Sequence, residues 1–98
     1  MNDILTKPEQ NLINKLATTY GLVPSIENTV AVNPYTGVRV NTTPRVASLV
    51  HFVQQAYRTY ELNGTMSYRS KPVSISFYDR VRYLVLKLDK TAYAEVLD

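Results

Sequence analysis

Tyrosine interleaved with arginine is the chemistry this chain carries most densely. Tyr57-Arg58-Thr59-Tyr60, Tyr68-Arg69-Ser70-Lys71 and Tyr78-Asp79-Arg80-Val81-Arg82-Tyr83 repeat the pairing, and eight tyrosines stand against two phenylalanines and no tryptophan. A guanidinium beside a phenol ring suits phosphate contact with base stacking. The same two residue types are enriched at the hot spots of protein interfaces. They also serve structure alone, with tyrosines at a core edge, hydroxyls in water and arginines laid across the rings. That structural role is the expectation for Tyr57 and Tyr60, which fall on the core stripe of a helix. For Tyr68 and Tyr83 the two readings are balanced.

Two candidate surfaces follow. Tyr68, Arg69, Lys71, Arg80 and Arg82 would form a nucleic-acid contact. Tyr83 and Leu86, flanked by Arg82 and Lys87, would form a protein contact, because they stand on the side of their helix opposite a core face that is complete without them. A helix apolar on two faces is either sandwiched inside the fold or exposes an adhesive strip.

Catalytic chemistry is sparse. The single histidine, His51, has Ala47 and Gln55 as its i±4 neighbours, so no carboxylate on its helix orients it and no second ligand sits at metal spacing. Acidic residues are scattered singly. Asp79 and Asp89 are better read as charges at helix ends. Three glycines leave no phosphate-cradling loop, and Ser74 and Ser76 lack a G-x-S-x-G context. The expectation is a protein without enzymatic activity, cofactor, metal or small-molecule substrate. Zero cysteines exclude a disulfide scaffold, a thiolate metal site and a cysteine nucleophile, and fit a reducing, cytoplasmic setting.

The elements that must position these residues are mostly helical. Pro44 to Leu62 reads as the central helix, with Thr43 as its cap and Asn63-Gly64 as its stop. Val46, Leu49, Val50, Val53, Tyr57 and Tyr60 form its apolar stripe. Ser48, His51, Gln55, Arg58 and Leu62 lie opposite, with Phe52 on the flank. A first helix is expected over 7–20, opened by the capping box Thr6-Lys7-Pro8-Glu9 and stopped by Gly21. A third is expected over 77–88, capped by Ser76, with Phe77, Val81, Leu84, Val85 and Leu88 inward. Asp89 would cap a short last helix over 90–97, or the third helix would run on.

Between these lie two connectors. Thr29 to Asn41 alternates valines on both sides of Asn33-Pro34-Tyr35-Thr36-Gly37, which reads as a short β-hairpin or a tucked loop. The stretch 65–75 reads as a loop more than as a hairpin, its arms being very short. The fold expected is thus a single, mainly α domain spanning 1–98, with an α+β alternative in which both hairpins share one sheet. Its length and 45% apolar content suffice for a core without staples. No basic n-region precedes an apolar run at the N-terminus, and no apolar run reaches membrane-spanning length.

Net charge is +3, with the basic excess confined to residues 33–90 and acidic balances at both ends. Such asymmetry marks a polyanion-facing surface or merely scattered solubilising charge. The function expected is an interaction module for a macromolecular partner, in the manner of an accessory protein of a virus or mobile element that modulates a host complex. That origin rests on size and chemical simplicity, not on any residue. A nucleic-acid binder is the first alternative, although no reading helix rich in Arg, Asn and Gln is evident. A structural subunit of a symmetric assembly is the second.

Overall fold

The computed structural model describes residues 5–97. The N-terminal reading at residues 1–4, and the charges of Asp3 and Asp98, lie outside the described residues. In chain order the elements are α1 (Lys7–Tyr20), β1 (Val30–Val32), β2 (Arg39–Asn41), α2 (Pro44–Asn63), β3 (Ser67–Tyr68), β4 (Lys71–Pro72), α3 (Ile75–Leu88) and α4 (Lys90–Val96). The mainly α fold expected from periodicity is the fold observed.

Helix α1 starts with the reciprocal capping box. The Glu9 N–H donates to Thr6 Oγ1 (3.3 Å) and the Thr6 N–H donates to Glu9 Oε1 (2.8 Å). Helix α2 starts at Thr43, whose hydroxyl accepts from the Val46 N–H at 3.2 Å, and stops at Gly64 in a left-handed conformation. Helices α3 and α4 are separate: Asp89 is extended, ends one helix and caps the other by accepting from the Ala92 N–H (3.0 Å). The cap of α3 is Ser74 and not Ser76. Its hydroxyl accepts from the Phe77 N–H, so the helix gains Ile75 and Ser76.

The buried arc of α2 is wider than one stripe. Val46, Leu49, Val50 and Val53 are buried as expected, but so are Ser48, Phe52 and Ala56. The reason is that α2 is covered on two sides, by α3 and β1 and also by β3. Phe52, expected on the flank, is completely buried and gathers an aromatic cluster. Tyr20, Tyr68 and Phe77 surround it at ring-centre distances of 5.3, 5.0 and 5.7 Å. Ser48 is tolerated inside because its hydroxyl donates to the Arg45 carbonyl (2.7 Å). In contrast, Tyr57 and Tyr60 are 42% and 45% exposed. Past Ala56 the helix outruns its cover, and only Thr59 stays half-buried, accepting from the Ser67 N–H at 2.9 Å.

Both connectors are hairpins. Strands β1 and β2 pair antiparallel with Ala31 opposite Val40. Ala31 is the buried residue of β1, while Val30 and Val32 are only half-buried, so the valines are not the inward face. The small Ala31 side chain lets the strand lie close against α2. Asn33 holds the turn by accepting from the Tyr35 and Thr36 N–H groups, and ties it to α4 by donating to the Glu95 carbonyl. Strands β3 and β4, where a loop was expected, form a minimal hairpin with Ser67 opposite Pro72 and Tyr68 opposite Lys71. The two turn residues, Arg69 and Ser70, both have positive φ (52° and 66°), as a two-residue hairpin of the twist-matched kind requires. The hairpins remain two separate two-stranded sheets, so the shared-sheet alternative does not form.

Candidate functional site

The nucleic-acid candidates divide on inspection. Helix α1 has no basic residue in its last turn, so its terminal carbonyls need cations from elsewhere. The second hairpin delivers them. Arg69 Nη1 donates to the Tyr20 and Gly21 carbonyls at 3.2 and 2.8 Å, and Lys71 Nζ donates to the Thr19 carbonyl at 2.8 Å. Tyr20 reciprocates, its hydroxyl donating to the Pro72 carbonyl (2.7 Å). Tyr68, third of the set, is buried in the aromatic cluster with Arg69 Cζ 5.2 Å from its ring centre. This Tyr/Arg/Lys segment therefore fastens the hairpin to α1. Arg80 lies exposed on α3, and Arg82 is half-buried on a different side of that helix.

His51 stands on the exposed side of α2, its ring edge-on to Tyr68 at 5.8 Å. Burial against that ring lowers its pKa, and the Arg69 guanidinium lowers it further. Among the described residues no carboxylate orients it. Among the described residues no group of three or more His, Cys, Asp or Glu stands close enough to hold a metal ion.

The protein-contact candidates also separate. Tyr83 is 67% exposed. It forms one wall of a shallow groove of about 630 Å³ between α1 and α3, whose floor is Leu12 and Leu84 and whose facing wall is Thr6, Pro8 and Glu9. Lys87 of α3 forms an ion pair with Glu9 of the facing wall at 2.8 Å. That hydrogen bond, and the one from the Thr6 N–H, hold the Glu9 carboxyl below the usual carboxylate range. Asp79 and Arg80 also line the groove. Leu86 is half-buried, so it is shared between the fold and the surface. Arg82 belongs to neither wall. Its Nη2 donates to the Leu97 carbonyl (3.3 Å) and its Cζ lies 5.3 Å from the Tyr93 ring centre.

The strip expected on α3 is thus a groove with an α1 wall. Thr6, Pro8, Glu9 and Leu12 were outside the reach of periodicity, because only the packing of α1 on α3 brings them beside Tyr83. The one legible signal was opposite charge at Glu9 and Lys87, which sequence separation hides. Among the described residues no helix is long and apolar enough to cross a membrane. Comparison of the chain with family models, curated proteins and solved structures gives no match.

Proposed function

We propose that this chain is a non-enzymatic interaction module that seats a protein partner, a second copy or a foreign chain, in the groove between α1 and α3. Tyr83 is its anchor. The observation that supports this most is the placement of Tyr83: a large, solvent-exposed ring directly beside a concave surface floored by leucines. Other exposed apolar residues, such as Val23, Ile26 and Leu62, lie on a loop or a helix end and line none of the grooves described. Exposed apolar residues scattered singly are ordinary. An aromatic anchor rimmed by charges of both signs has the anatomy of an interface centre. Burying a large apolar side chain contributes about 1.5–3 kcal/mol, a sizeable share of a modest interface.

The nucleic-acid reading gains less support, since Arg69 and Lys71 have carbonyl partners within the chain. Tyr83→Ser tests the proposal. Melting temperature should stay within a degree or two of wild type, while dimerisation in sedimentation velocity, or capture of the foreign partner, is lost. Leu86→Ser should lower the melting temperature, because part of that side chain lies in the fold. A Tyr83→Ser protein that associates like wild type would dismiss the groove.

A further inference from the structure

On the other side of α3 lies a second concavity, of different chemistry. It is a cleft of about 390 Å³ bounded by the β1–β2 turn, the outer side of α2, and the Tyr78 and Arg82 side of α3. That volume falls within the about 300–1,000 Å³ of small-ligand sites. Three tyrosines wall it. Tyr35, at the hairpin turn, is 75% exposed, Tyr57 is 42% exposed, and Tyr78 is buried. All three tyrosines line this one cleft. Tyr35 makes no ring contact with the other two, so its face is open.

Asn33, Gln54 and the Tyr35 hydroxyl donate within the chain, whereas Arg58, Arg82 and Tyr78 keep donors for a ligand. Tyr78 is more than nine-tenths buried, lines the cleft, and its hydroxyl has no hydrogen-bond partner among the described residues. Among the described residues only the Tyr68 hydroxyl is both fully buried and unpartnered, so the Tyr78 hydroxyl keeps some solvent exposure. Arg58 has no hydrogen bond or ion pair among the described residues. Arg82 spends one long bond on the Leu97 carbonyl and keeps its remaining donors. Among the described residues no carboxylate lines the cleft. Glu61, beside it, is engaged by the Tyr35 hydroxyl at 2.9 Å, and Asp79 lines the groove on the other side of α3. Two guanidiniums and a phenol hydroxyl, with no carboxylate among the described residues lining the cleft and Glu61 only at its edge, favour an anion. Open aromatic faces select a planar ring beside it.

We infer that this cleft is a binding site for a nucleotide unit, its base stacked on Tyr35 and Tyr57 and its phosphate held by Arg58, Arg82 and the Tyr78 hydroxyl. Gln55, at the rim, offers both a donor and an acceptor to a base edge. A free mononucleotide and one residue of a single strand present the same ring and phosphate.

The test is calorimetric titration of the full chain at low salt with AMP, UMP, adenosine, inorganic phosphate, phosphotyrosine and a pentanucleotide. AMP or UMP should bind at least tenfold more tightly than adenosine or phosphate alone. A pentanucleotide more than tenfold tighter than the mononucleotide assigns the site to single strands, and equal affinities assign it to free nucleotides. Arg58→Gln and Tyr78→Phe, which remove one charge and one oxygen without emptying the core, should each weaken binding about tenfold or more. Arg80→Gln, in the opposite groove, and Tyr83→Ser should not. Absence of nucleotide binding, equal binding of inorganic phosphate or tighter binding of phosphotyrosine overturns the inference. So does equal loss in Arg80→Gln, which would reduce the effect to net charge.

Discussion

Two residues in the aromatic cluster make opposite demands on it. Phe52 fills its centre without a polar atom, whereas Tyr68 brings a buried hydroxyl that makes no well-formed hydrogen bond among the described residues and meets only the neighbouring Arg69 guanidinium. An unsatisfied buried polar group costs about 1–3 kcal/mol. Tyr68→Phe should therefore raise the melting temperature by several degrees, while Phe52→Ala, which opens a cavity, should cost about 3–5 kcal/mol. Both are read by thermal denaturation. His51 adds a pH dependence. Its folded pKa lies below the ordinary value of about 6.5, so the native state binds fewer protons than the unfolded chain in that range. Stability is full above the unfolded pKa and declines as pH falls through the folded one. His51→Gln should flatten that part of the melting-temperature profile below about pH 6.5, modestly, because the side chain is only partly buried. An unchanged slope would remove His51 as the source.

At the scale of elements, the hairpin Ser67–Pro72 does the work of a helix cap at a distance. It presents Arg69 and Lys71 to the end of α1, and Gly21 leaves room for them: a Cβ there would stand 3.2 Å from Arg69 Nη1, at a φ of +67° that disfavours side chains. Arg69 and Ser70 hold left-handed conformations that cost L-residues about 1–2 kcal/mol each. Ser70→Gly should accordingly stabilise the fold by about 0.5–1 kcal/mol in chemical denaturation. Arg69→Gly should not, because the same residue carries the α1 contact. The helices were legible because caps and stops are local: Thr6, Thr43, Asp89 and Gly64 each carry their own signal. This hairpin was not, since Arg-Ser is not a turn pair that favours positive φ, and only the carbonyls of α1, about fifty residues earlier, repay its geometry.

For the whole molecule, the reading from sequence went astray where one element is covered on more than one side. A single-stripe model of α2 puts Tyr57 and Tyr60 inside and Phe52 aside, and the two covers of that helix reverse both placements. The same limit applies to the candidate site. The outward position of Tyr83 was readable from the phase of α3, but the groove beside it exists only once α1 has packed. The resulting molecule presents two unlike concavities on either side of α3: one leucine-floored with mixed charge, the other tyrosine-walled with arginine alone. The first of these is the proposed seat of a protein partner. A photoreactive phenylalanine analogue at position 83, irradiated in cells of the native source, measures this most directly. A discrete adduct containing protein is expected, resistant to nuclease and absent when the analogue is placed at position 26. No adduct at 83, or one that nuclease removes, would contradict it.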